Sequence, residues 1–388
     1  MRRLAFGVAL SLAFALVAQP TAADEGSSFS LFVDQDVLHK PAFDQDFTMG
    51  IVLSWSGGSI NCSGRRNLLR RIDGLFGKEA SVCFDEGTSD PNLVVYENAR
   101  FDVGDSAFTP SKEFLHVTDA LPWDRPYANL LFVSVRRDVA KAARTAGSAL
   151  TPRRARTTEL TAGMLGLGIG EAAQKWIHRH VSRDVTPGGW RHQISEGGEP
   201  TLRYRRTQKW LLADRPIGGG SPTTQAPRRF DFRASLEESV GYYTYASAGL
   251  QMRLAPIPRL TRIESSWWMA DHAPNPNVLA PEQASAEKDK ELFFTAGISG
   301  DYWLYNALMQ GQFRDSTVAL KFGEPRPGIA TLDRTVGHAN AGVTGRLKNF
   351  SLSYAVTWHT APFRGIDPFG KPVKRGHSWG GIYLSWRR

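Results

Sequence analysis

The run Phe350-Ser-Leu-Ser-Tyr-Ala-Val-Thr-Trp-His359 alternates without a break. Phe350, Leu352, Tyr354, Val356 and Trp358 are large and apolar; Ser351, Ser353, Ala355, Thr357 and His359 are small or polar. Successive side chains of a strand point to opposite faces, so this segment has one greasy face and one small, polar face. The segment from Phe47 has the same form. Phe47, Met49, Ile51, Leu53 and Trp55 share one face, and Thr48, Gly50, Ser54 and Ser56 the other. Two architectures produce such strands: a soluble sandwich or barrel with a dry core, or a transmembrane barrel with a wet interior. A dry core wants bulk inside and charge outside. Here few Lys or Glu separate the apolar positions, and Ser, Thr, Gly, His and Ala suit the interior of a modest membrane barrel. The final alternation Ile382-Tyr-Leu-Ser-Trp386 agrees.

The expected fold is therefore all-β, a transmembrane antiparallel β-barrel of about twelve strands with a short helix in an extracellular loop. Strands are expected near 28–36, 46–56, 92–104, 126–137, 156–167, 199–212, 228–237, 241–254, 291–304, 335–347, 349–359 and 377–386. Pro-, Gly- and charge-rich loops join them, among them 57–91, 138–155, 256–290 and 323–334. A chain of 388 residues with 41% hydrophobic residues excludes disorder as the main state. Its mean hydropathy of −0.31 does not argue against a membrane. In a barrel each lipid-facing residue is averaged with an inward polar neighbour.

Met1-Arg-Arg3, the apolar run Leu4–Ala18 and the small residues Thr21 and Ala23 form a secretory signal peptide. Residues 1–23 are read as that leader and 24–388 as one outer-membrane barrel domain. Cys62 and Cys83 are the two cysteines, and in an exported chain they are read as a local disulfide. If both termini are periplasmic, parity sends strand 1 outward. The ends of strands 1 and 2 and the connections 105–125 and 168–198 then share the external mouth. The formal net charge is +9. The basic residues, such as Arg136-Arg137 and Arg203-Tyr-Arg-Arg206, are spread rather than clustered. They are read as solvated loop groups meeting lipid phosphates, not a nucleic-acid surface.

Two stretches carry possible chemistry. In Asp34-Gln35-Asp36, alternation puts Ser30, Phe32, Asp34 and Asp36 on one face, where carboxylates could ligate a hard cation or be solvated turn residues. In Gly170–His180, one of the few helical-looking stretches, Gln174 and His178 are four apart and share a face. A histidine there could be a general base or a plain surface histidine. Gly376-His-Ser-Trp-Gly380 spells a nucleophile elbow, but no acid or histidine follows it, so Ser378 is read as a strand residue. Gly166-Leu-Gly-Ile-Gly170 lacks the final glycine of a dinucleotide loop.

Taken in order, these segments resemble the outer-membrane lipid A 3-O-deacylase family. The resemblance rests on Phe29–Asp36, Asp46-Phe-Thr-Met-Gly50, Phe108-Thr-Pro110, Asp124-Arg-Pro-Tyr-Ala128, Gly170-Glu171 with Gln174 and His178, and Pro187 with Trp190 and Gln193. Gln35 stands where the family usually has Asn. The resemblance implies an active site between the barrel wall and a helix in an external loop. It also implies Ca2+-dependent ester hydrolysis that removes the 3′-linked acyl or acyloxyacyl chain of lipid A. Carried over, His178 activates water, and Thr48, Gln174 and Gln35 are further members of the catalytic site. Asp36 and Asp184 hold the metal, and Lys112 meets a lipid phosphate. The expected partner is lipid A or lipopolysaccharide in the outer leaflet of the cell outer membrane, met by a monomer. The competing readings are a non-catalytic pore or structural barrel, and an outer-membrane phospholipase, for which no suitable serine nucleophile is present.

Overall fold

The computed structural model describes residues 28–39, 46–56, 93–145, 148–149, 152–177, 179, 187–215, 230–256, 271–272, 279–280, 290–373 and 376–387. Twelve long antiparallel strands make one sheet: β1 Ser28–Gln35, β2 Asp46–Ser56, β3 Leu93–Thr109, β4 Ala128–Thr145, β5 Arg154–Leu165 and β6 Glu199–Arg215. It continues with β7 Phe230–Gly241, β8 Tyr243–Leu254, β9 Lys290–Asn306, β10 Thr335–Leu347, β11 Phe350–His359 and β12 His377–Arg387. Each strand pairs with its neighbour in sequence, and β1 pairs with β12 from Ser28↔Arg387 to Gln35↔Gly380. The sheet is a closed barrel with no free edge. Among the described residues no helix is long and apolar enough to cross a membrane, as expected where strands do the crossing.

The alternation in sequence becomes the two faces of the wall. Along β11, Phe350, Leu352, Tyr354 and Trp358 are exposed, while Ser351, Ser353 and Thr357 are buried. Register lines up Phe101, Trp55, Phe29, Trp386 and Phe350 across five adjacent strands as an aromatic row. Phe29 and Trp55 stand 5.4 Å apart between ring centroids, and Trp55 and Phe101 6.1 Å. Trp358 lies eight residues along β11 from Phe350, about 26 Å of strand at an ordinary rise. Allowing for barrel tilt, that is close to the height of an apolar band with an aromatic girdle.

The interior departs from expectation in its charge. Arg136, Arg203 and Arg205, read from sequence as solvated loop groups, are buried inside the barrel at about 1% exposure. Arg136 pairs with Asp138 at 2.8 Å, and both Arg203 and Arg205 bind Glu159. Further along, Arg253 pairs with Asp231 at 2.6 Å, and the Tyr245 hydroxyl donates to Glu237 at 2.6 Å. In a strand-lined interior these groups face one another and not solvent, so they must be paired. The same pairing lengthens the wall: β4 runs on to Thr145, through residues 138–145 that were expected to be loop.

Strand ends place the connections. The end of β1, the start of β2 and the strand ends that flank 110–127, 166–198, 307–334 and 360–376 all lie at one mouth, which agrees with the parity argument. Over it, two-residue strands Lys321–Phe322, Thr331–Leu332 and Pro372–Val373 join Phe363–Ile366 in a small second sheet. The alternation gave no sign of that sheet, because each piece is too short to show a period. The leader, Cys62, Cys83, His178 and Asp184 lie outside the described residues.

Candidate active site between the wall and a loop helix

The helix α1, Ile169–Ile177, lies in the connection between β5 and β6. Its sequence divides into two faces. Glu171 and Lys175 pair at 2.6 Å across one turn, and Trp176 is exposed. Gln174 is buried, and its Oε1 accepts a hydrogen bond from the indole N–H of Trp190 at 2.8 Å. Ala173 packs against a cluster of Met49, Ala107, Leu115, Tyr127 and Trp190.

Register shows which side of the wall this cluster occupies. Met49 pairs with Ala107 and Ile51 with Asp105, and Ile51 is 40% exposed on the outer face. Met49 and Ala107 share that outward parity. They are nevertheless buried, at 6% and 1%, beneath the helix and its supporting loops. The helix thus docks on the outside of β2, β3 and β4.

Close approach depends on Gly170. A Cβ there would stand 2.9 Å from Asn129 Nδ2 and 3.0 Å from Trp190 Cη2. Asn129 in turn donates to Asp105 Oδ1 at 2.8 Å on the same outer face.

The motifs that are scattered in sequence meet here. Asp124 accepts from the Ser111 backbone and hydroxyl and from the Arg125 N–H, closing the connection 110–127 on itself. The Tyr127 hydroxyl donates to the Leu115 carbonyl, and its ring lies 4.8 Å from that of Trp190. Lys112 begins a short 3-10 turn, Lys112–Phe114, in this connection; its side chain lies outside the description.

The β1 carboxylates divide. Asp34 is buried on the inner face, where Tyr383 Oη donates to its Oδ1 at 2.8 Å. Gln35 has the opposite, outward parity. It follows the pair Asp34↔Gly50 by one step, which sets it beside the level of Met49. Asp36 is 1% exposed at the rim, in the turn Asp36–Leu38.

One expectation fails. Phe47 was placed on the lipid face with Met49, but it faces inward, 5.3 Å from Phe108 and from Trp379. The cause is a bulge. Phe47 pairs with Phe108 and Met49 with the adjacent Ala107, so Thr48 is the extra residue and the alternation shifts there. Nothing in the composition of Phe47-Thr-Met49 announces it.

Sequence reasoning missed Asp105 and Asn129, which sit near the mouth ends of β3 and β4, where the pattern drew attention only to apolar residues. Asp105 Oδ2 and Asn129 Oδ1 are buried oxygens with no hydrogen-bond partner under the helix. Carboxylate and amide oxygens of this kind are hard donors of the type that calcium takes. Among the described residues no three acidic, histidine or cysteine side chains are gathered into a metal site.

Residues 4–388 match a family model described as outer membrane protein LpxR. Among solved structures, LpxR from Salmonella typhimurium superposes with a TM-score of 0.63 at 13% identity, covering 93% of this chain and 100% of that one. The β domain of the Bordetella autotransporter Brka gives 0.37 at 8% identity, covering 94% and 100%. The KdgM porin gives 0.31 at 5% identity, covering 93% and 99%. No curated protein sequence matches significantly. The first superposition carries the fold: a closed twelve-stranded outer-membrane barrel.

Proposed function

This chain belongs to the LpxR family of outer membrane proteins, and from that premise we propose that it is a calcium-dependent esterase removing the 3′-linked acyl or acyloxyacyl chain of lipid A. The observation that supports this reading best is the docking of α1 on the outer face of the wall, with Gln174 turned toward β2–β4. A lipid reaches such a site sideways from the bilayer, without entering the barrel. In the sequence His178 follows Gln174 by four residues, the spacing that sets two side chains on one face where a helix continues, and the reading gives it work at this site.

In this reading His178 takes the proton of the attacking water. Thr48, at the bulge, and Gln35 and Gln174 supply fixed polar groups that orient water and ester. Asp36 and Asp184 hold the calcium, with the Asp105 carboxylate within the same wall. When bound, the ion supplies polarisation of the scissile carbonyl and charge for the oxyanion. Lys112, in the connection beside the helix, holds a lipid phosphate. The protein acts as a monomer in the outer membrane.

Mass spectrometry of lipid A from cells with and without the protein, each with calcium and with a chelator, tests this. Loss of one 3′ chain that requires both protein and calcium is the expected result. An unchanged lipid A in cells holding the folded barrel would overturn it.

A further inference from the structure

A cavity of about 50 Å³ lies inside the barrel at the same mouth, on the other side of the wall from α1. Phe47 and Phe108 form one side, and residues of the mouth connections, among them Phe322, Asp333 and Pro362, close it above. Its volume has room for a cluster of a few oxygens, not for a sugar or an acyl chain.

The polar groups around it are unequal in what they accept. Trp303, on β9, and Trp379, on β12, both line the cavity and are 8% and 2% exposed. The indole N–H of each is buried with no hydrogen-bond partner. An indole nitrogen can only donate, so whatever satisfies the pair must be an acceptor. Arg125 also lines the cavity, with its guanidinium 4.2 Å from the centre of the Phe108 ring. It too can only donate, and it is always charged.

The acidic groups nearby are engaged. Asp333 forms an ion pair with Arg364, 2.7 Å from its Nε, and Asp301 is bound by His338 Nε2 at 2.9 Å. Tyr243, His338 and His359, the remaining titratable groups of the lining, can donate or accept and do not discriminate. Two donor-only indoles and a guanidinium exclude a metal ion and favour a small group rich in oxygen acceptors and negative charge.

We propose that this cavity binds a single oxyanion, a phosphate or carboxylate group, between Arg125 and the N–H groups of Trp303 and Trp379. The site is separate from the helix-covered groove and stands whether or not the proposed esterase activity does. Its ligand is either a free anion or the same group carried on a lipid headgroup.

The test uses the full barrel, folded in detergent, with 15N in its indole nitrogens. Trp303→Phe and Trp379→Phe assign the two signals, and heat-modifiable mobility on gels reports that each variant still folds. If one fails to fold, the other carries the test. Titration with inorganic phosphate should move both signals saturably, and acetate should do the same. Tetramethylammonium chloride at matched ionic strength should move neither. Loss of either N–H should weaken phosphate binding about tenfold, the scale of one hydrogen bond to a charged group. A second arm competes phosphate with dihexanoyl phosphatidic acid. Tighter binding of the lipid assigns the headgroup as the source, and tighter binding of phosphate assigns the free anion; both require the site. Indole signals that ignore phosphate, or that follow ionic strength in the control, overturn the proposal.

Discussion

The indole N–H of Trp190 donates to Oε1 of Gln174 across 2.8 Å, and this bond fastens a loop helix to the outside of the barrel. Both groups are buried, Trp190 at 1% and Gln174 at 2%. Trp190→Phe keeps most of the ring contact with Tyr127 but removes the N–H that Gln174 Oε1 accepts from. The local cost is about 1–3 kcal/mol, paid in the docking of α1 and not in the barrel. Deacylation should fall about tenfold or more, while heat-modifiable mobility stays that of the native barrel. Hydrogen exchange should rise in residues 169–177 and stay unchanged in β7–β9. A variant with full activity would show that this bond does not position the helix.

Gly170 and Gly168 form a pair with opposite expectations. A side chain at Gly170 meets Asn129 and Trp190, whereas a Cβ at Gly168 meets nothing within 4 Å. Gly170→Leu should lift the helix from the wall and abolish deacylation with the barrel intact. Gly168→Ala should retain activity close to that of the parent. Equal loss in both would point to backbone freedom in this segment as the requirement.

The wall was legible in the sequence because lipid and interior impose period two on residues such as Phe350 to Trp358. The buried charges were not. Arg136, Arg203 and Arg205 look like loop residues until the barrel closes and brings Glu159 and Asp138 to face them. The site was partly legible. Gln174 is buried against Trp190, but the i, i+4 spacing names only a shared helix face and not what that face packs against. Asp105 and Asn129 gain meaning only from α1, which folds over them from a distant part of the chain. The inward turn of Phe47 depends on pairing with β3, which no local pattern reveals.

Glu159 holds two arginines inside the barrel. Glu159→Gln leaves Arg203 and Arg205 buried without their shared carboxylate, at a cost of about 3–5 kcal/mol. The measurement is urea unfolding of the barrel in lipid vesicles, followed by tryptophan fluorescence. The midpoint should drop clearly, and deacylation by the remaining folded protein should be unaffected. The wild-type barrel, with its interior crossed by these ion pairs, should also give no stepwise conductance in planar bilayers. Steady channel openings would instead support the pore reading.

Thr48 offers a sharper test than a point substitution. It is the extra residue of the β2 bulge, since Phe47 and Met49 pair with the adjacent residues Phe108 and Ala107. Deleting Thr48 restores one-to-one pairing, and Phe47 remains opposite Phe108 on the inner face. The barrel should therefore fold with its usual mobility and its inner Phe47–Trp379 contact preserved. Bulges near active sites re-aim a side chain at the expense of ladder pairing. If that is the reason this one exists, the deletion should stabilise the strand slightly and still remove deacylation. An active deletion variant would take Thr48 out of the proposed site, and an unfolded one would make the bulge a requirement of barrel closure.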